Sequence, residues 1–335
     1  MMEQHQWALI SNLNSRTIFI MQKTINSIFL FLALIVINNC QSNKTILSDA
    51  LFYTSPVEDA GIDSIGFLMR KHVIVVTGKE TNRLYVHNAM NGELKQVVER
   101  PNSYPNGVNV INDELVLITE RDTHQVSVYN TSMEFLGTFG TDILRQPYGI
   151  TSYKKSNGVY RVFITDSYEY DTPKSDRIIA FDLSLKNETF SILSSEVFGQ
   201  EILYQVESIM VDAENNTLLV ADENKDHYKI AVLDLNSEQN INSSMQSFVF
   251  STDPEGIALV KTSATSGYWI STEQSEIDNK FHLFDRENFN HFKTIYLKNV
   301  SNTDGIATAY MHGSWYLYAV DNDRRVAAFK LPEMR

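Results

Sequence analysis

The sequence predicts an all-β fold, a six-bladed β-propeller of four-stranded antiparallel blades, and three observations carry that expectation. A polar stretch runs into a small residue and an aliphatic strand start six times. These triplets are Ala60-Gly61-Ile62, Asn106-Gly107-Val108, Tyr148-Gly149-Ile150, Glu207-Ser208-Ile209, Glu255-Gly256-Ile257 and Asp304-Gly305-Ile306. The steps between their middle residues are 46, 42, 59, 48 and 49 positions, the length of one four-stranded blade. Between the triplets lie short alternating runs rich in β-branched and aromatic residues, with no Pro- or Gly-rich linker, so residues 41–335 read as one domain.

Blade one sets the plan. Strand A covers Ile62 to Leu68, a turn falls at Arg70-Lys71, and strand B covers Val73 to Val76. After the loop Gly78 to Asn82, strand C covers Leu84 to His87, and the hairpin signal Asn91-Gly92 leads into strand D, Leu94 to Val98. Later blades repeat this with B strands such as Leu115 to Ile118 and Leu218 to Val220, and C strands such as Ile230 to Leu233 and Val326 to Phe329. His87 and His282 fall on strands, where a structural histidine is the expectation, and Trp269 and Trp315 read as packing between blades.

Residues 1–40 read as an extension followed by an export signal. Ser27 to Ile37 is an apolar run too short to span a bilayer and of the length of a signal-peptide core. Cys40, the one cysteine in the chain, stands three residues beyond it. It is read either as the lipidated cysteine of a lipoprotein signal, giving a membrane tether, or as an incidental cysteine in a plain secretory signal. Both place the domain outside the cytoplasm, as a cell-surface lipoprotein or a periplasmic or secreted protein, and neither leaves a cysteine for disulfides. Sequons at Asn43, Asn130, Asn187, Asn215, Asn242 and Asn299 are what an Asn-rich chain generates by chance.

The 335 residues are 43% apolar with seven prolines, enough for a substantial core. A net charge of −13 excludes a basic nucleic-acid-binding face. A monomer acting on a small molecule is expected. In a propeller the loops entering the A strands and the loops joining B to C share one face. That rim gathers Glu58, Asp59, Asn106, Tyr148, Glu207, Asp253, Glu255 and Asp304 from the first set. The second set adds Lys79, Glu80, Glu120, Arg121, Asp122, Asp166, Asp222, Glu223, Glu273, Gln274, Asp321 and Asp323. So many oxygens without cysteine or a histidine cluster suit calcium. Taken singly, an acid beside a turn more often accepts backbone N–H groups.

On these residues the chain resembles the β-propeller phytase family, from about Asp49 to Lys330. The motifs are Tyr104-Pro105-Asn106-Gly107-Val108, Thr119-Glu120-Arg121-Asp122, Pro147-Tyr148-Gly149, Val206-Glu207-Ser208 with Ala221-Asp222-Glu223, Asp253-Pro254-Glu255-Gly256 and Thr303-Asp304-Gly305. The resemblance implies a Ca2+-dependent phosphomonoester hydrolase releasing phosphate from inositol hexakisphosphate or a related ester. It implies calcium on Asp59 (or Glu58), Glu207, Asp222, Glu223, Asp253, Glu255 and Asp304. Tyr148 would lie nearby and Glu207, Asp304, Tyr148 and Arg121 would act in catalysis. Lys79, Arg121 and Lys174 would bind phosphate. The chain departs from the family's Asp-Asp-Pro-Ala motif, carrying Glu58-Asp59-Ala60-Gly61, and Lys174 is the one lysine in the blade-three loop. Two other readings stand beside this one: a calcium-stabilised binding module without catalysis, and a lactonase-like or esterase-like propeller hydrolase.

Overall fold

The structure is a computed structural model that describes residues 45–47, 49–169, 171–186 and 189–334. The leader, Cys40 and the sequons at Asn43 and Asn187 lie outside the described residues. Six antiparallel sheets follow one another along the chain. Their inner strands are Ile62–Leu68, Pro105–Ile111, Pro147–Ser156, Val206–Asp212, Pro254–Lys261 and Ile306–Met311. Each packs against the next, and the last returns to the first, so the sheets form a closed propeller ring as the spacing predicts. Blade one keeps the expected order, Ile62–Leu68, Val73–Gly78, Arg83–Asn88 and Leu94–Glu99. Its Asn91-Gly92 turn places Gly92 at φ 73, where a Cβ is disfavoured.

The second strand of each blade is buried along most of its length, and at every position in Leu115–Glu120 and Thr217–Asp222, because both its faces meet neighbouring blades. Six apolar clusters, one in each joint between blades, form the core among the described residues. Trp269 is fully buried in the joint between blades four and five, and Trp315 packs at the edge of the next one. Each large side chain buried there contributes about 1.5–3 kcal/mol. One joint also carries a buried ion pair. Arg286, in a turn of blade five, binds both oxygens of Asp212 at the end of blade four's inner strand, at 2.7 and 2.6 Å.

Two features were not legible in the repeat. In blade four the fourth position shrinks to a single bridge, Leu233 to Asn240, and Ile241, Met245, Phe248 and Phe250 cover the edge instead. In the last blade the fourth strand comes from the other end of the chain: Phe52–Tyr53 pairs antiparallel with Ala327 and Ala328. Just before it, Thr45–Leu47 lies parallel to Ile295 through Leu297 at the outer edge of blade five. Strands from both ends thus clasp the ring shut.

Candidate metal centre at the channel mouth

At the axis the inner strands approach so closely that the middle residue of each triplet must be small. A Cβ on Gly107, Gly149 or Gly305 would run into the carbonyl oxygen of Tyr148, Glu207 or Asp63 on the next blade. The middle and last residues of the triplets line a narrow axial cavity of about 70 Å3. The first residues form a ring at its mouth: Asp63, Asn106, Tyr148, Glu207, Glu255 and Asp304, one from each blade.

This ring corrects the sequence alignment of blade one. Ile65 stands opposite Val76 just as Val108 stands opposite Ile118 and Ile209 opposite Val220. The equivalent triplet is therefore Asp63-Ser64-Ile65, three residues later than Ala60-Gly61-Ile62. Gly61, at φ 56, belongs to the turn that leads into the strand. The ring acid of blade one is Asp63. Asp59 is exposed, with φ 51, away from the cluster, and Glu58 pairs with Arg324 at 3.3 Å.

A second distinction follows from strand alternation. Asp166, Asp222 and Asp321, which end second strands, turn toward loop backbone, and in blades one, four and five the residue after the strand end turns toward the ring. Asp222, fully buried, accepts the N–H groups of Tyr204 and Gln205 at 3.0 Å and of Asn224 at 3.3 Å, with Lys229 3.6 Å away. Asp166 likewise holds the N–H groups of Arg145 and Gln146. These acids hold loops together rather than facing a ligand. Lys79, Glu223 and Gln274, one position on, reach the ring.

Glu207, Glu223 and Glu255 bring one carboxylate oxygen each within 4.8 Å of one another. Glu223 and Glu255 are 6% and 8% exposed, and Oε1 of Glu223 is buried without a hydrogen-bond partner. Asn106, fully buried in the same ring, keeps both amide atoms unpaired. An orphaned buried carboxylate oxygen in an all-oxygen cluster fits a hard divalent cation. Among the described residues these three acids could hold a metal ion. Beside them, Lys79 Nζ bridges Asp63 Oδ2 at 3.0 Å and Asp304 Oδ2 at 3.2 Å. The Tyr148 hydroxyl donates to Asp63 Oδ2 at 2.9 Å, and Gln274 donates to Asp304 Oδ1. Asp253 stands at the edge of this cluster and accepts from the Tyr228 hydroxyl.

The electrostatics follow from burying like charges together. Burial first, and then the neighbouring carboxylates, push Glu223 and Glu255 well above the usual range, and burial raises Glu207 as well. Asp304 is pushed up to about 8 by burial, with Lys79 opposing and Asp63 adding to the shift. Burial alone would lower Lys79, but Asp63 and Asp304 outweigh it and hold the ammonium charged. Burial and the charge of Asp63 move the Tyr148 phenol well above its ordinary value.

The other expected anion-binding bases already have partners. Arg121 lies over the Tyr104 ring, 3.6 Å from its centroid, and binds Asp122 at 3.1 Å. Lys174 binds Glu169 at 2.6 Å and sits 4.9 Å from the Tyr168 ring centroid. His87 and His282 are structural as expected: the first contacts the Gly92 carbonyl, and the second lies between Glu273 and Thr294.

Fold and ring together define a β-propeller with a carboxylate cluster at the mouth of its axial channel. No family model and no curated protein matches the chain. Solved structures do match it. A gluconolactonase from Xanthomonas campestris superposes with a TM-score of 0.60 at 10% identity, covering 84% of this chain and 89% of that one. The calcium-binding protein regucalcin from Agrobacterium tumefaciens gives 0.55 at 11% identity, covering 85% and 96%. A streptogramin B lyase gives 0.53 at 13% identity, covering 84% and 87%. These likenesses carry the propeller fold; they do not carry the phytase family.

Proposed function

We propose that the protein is a cation-dependent hydrolase of the lactonase-like or esterase-like kind, with calcium held by Glu207, Glu223 and Glu255. One observation supports this most: three carboxylates, two buried and one half-buried, converge within 4.8 Å at the mouth of an axial channel, where protons or a divalent cation must offset their charge. A bound divalent cation supplies Lewis acidity, polarising a carbonyl and lowering the pKa of water. The chain's own groups do the rest. Asp304, raised to about 8 and oriented by Gln274 and Lys79, accepts a proton from the attacking water once it is ionised, at about pH 8 and above. Lys79 balances Asp63 and Asp304 so that a substrate does not face an uncompensated acidic ring. Tyr148 fixes Asp63 opposite it. Fold neighbours described as a gluconolactonase and a calcium-binding protein agree with this chemistry. The export read from Ser27 to Ile37 would put the site where calcium is plentiful.

A phosphate ester is the second reading, favoured by Arg121 at the rim and Lys79 in the ring. It ranks lower because Arg121, Lys79 and Lys174 are each neutralised by an acid at 3.2 Å or less. Binding phosphate would require displacing those partners. Calcium titration followed by turnover assays decides. Chelator-sensitive hydrolysis of lactones or carboxylic esters supports the first reading, and phosphate release the second. Calcium binding without either turnover would replace both with a binding module.

A further inference from the structure

Three of the six joints carry a side-chain bond that reaches the ring from behind. Thr77, Thr119 and Thr165 occupy one equivalent position, next to last in the second strand of blades one to three, and all are fully buried. Each hydroxyl accepts the N–H of its own blade's small residue: Ser64 at 2.9 Å, Gly107 at 2.7 Å and Gly149 at 2.7 Å. Each also donates to the carbonyl of the ring residue on the following blade. Thr77 binds Asn106 at 2.7 Å, Thr119 binds Tyr148, and Thr165 binds Glu207 at 2.7 Å. The series then stops. Ala221 and Val320 hold the position in blades four and six, and the Thr272 hydroxyl of blade five has no partner. Glu207 is therefore the one member of the carboxylate trio whose main chain is clipped in this way.

We propose that Thr165 is a positioning residue for the cation site, fixing the Glu207 main chain so that its carboxylate meets Glu223 and Glu255. The inference rests on the cation reading above. The physical argument is short range: the clipped carbonyl is one bond from the Cα that carries the ligand side chain. A hydroxyl bonded at both ends has no freedom to rotate. Without it, the Gly149 N–H and the Glu207 carbonyl lose a buried partner, and the strand shifts to recover one. Cation sites tolerate little displacement of a ligand, and loss of a supporting bond lowers metal affinity by about 10- to 100-fold.

The test is calcium affinity by calorimetry, and terbium affinity by sensitised luminescence, on the full chain. Thr165→Val is expected to weaken binding by at least about tenfold, and Thr165→Ser to restore it to near the wild-type value. Thr77→Val removes the same bond at a joint that carries no trio member. It is expected to lower the melting temperature comparably while leaving cation affinity unchanged. Should Thr165→Val fail to fold, Thr165→Cys, which keeps the size with a weaker donor, is read in the same way. Wild-type affinity in the folded Thr165 variant overturns the proposal, as does equal weakening by Thr77→Val. A wild-type protein that binds neither ion overturns the cation reading itself, a result distinct from either.

Discussion

Replacing Glu223 by glutamine separates charge repulsion from coordination, because the amide keeps the shape and removes the charge. At the 4.8 Å that bounds the trio, with an effective dielectric of about 20, two unit charges repel by about 3.5 kcal/mol. Glu223 faces two such neighbours, and protonation relieves part of the repulsion, so the cation-free variant should gain about 2–5 kcal/mol at pH 9. Folding raises these carboxyls above their ordinary value of 4.5. The stability they contribute is thus complete below about pH 4.5 and is lost as pH rises through the elevated values. Near pH 5 the variant and the wild type should therefore melt together. At pH 9 with chelator the variant should melt about 4–10 °C higher, at about 2 °C per kcal/mol for a domain of this size. Calcium should reverse the order. At a hundred times the dissociation constant the wild type gains about 2.7 kcal/mol, and the variant gains much less. Thermal melts across pH 5–9, with calcium and with chelator, read all of this. A variant that melts below the wild type at pH 9 without calcium, or that gains equally from calcium, would refute the like-charge cluster.

Three further perturbations probe the scaffold and the ring. Asp212→Asn leaves the fully buried Arg286 with only the exposed Glu214, 3.4 Å away, as counter-charge and is expected to cost up to about 3–5 kcal/mol in denaturant melts. Gly149→Val drives a side chain into the Glu207 carbonyl; it should abolish cation binding and lower stability by at least about 1–3 kcal/mol, read by calorimetry and melting. Lys79→Met leaves Asp63 and Asp304 facing each other. It should cost about 3 kcal/mol at pH 9 and little at pH 5, where Asp304, pushed up to about 8, is protonated.

The period was legible because close approach at the axis enforces a small residue once per blade, and five of six triplets fell in register. The first slipped because a literal glycine, Gly61, drew the alignment three residues early. Serine meets the same steric demand at Ser64 as it does at Ser208. Asp63 was missed for that reason, although the 43 residues from Ser64 to Gly107 fit the repeat. Among paired acids, strand alternation decides which faces the axis: Asp222 serves the loop and Glu223 the mouth. The partners of Lys79, Arg121 and Lys174 were hidden, since ion pairing depends on loop paths that spacing does not encode. The closing strand Phe52–Tyr53 is too short to show alternation.

The clasp between the two ends of the chain sets an order of events during synthesis. Thr54 and Val326, hydrogen-bonded in the finished ring, are 272 positions apart. At about 5–20 residues per second, the first edge strand waits on the order of 15–55 s for its partner to emerge. Through that interval blades one to five can assemble in turn, but the ring stays open and its mouth incomplete. Activity would then report on whole molecules alone, because a nascent chain halted before its final blade would lack Asp304.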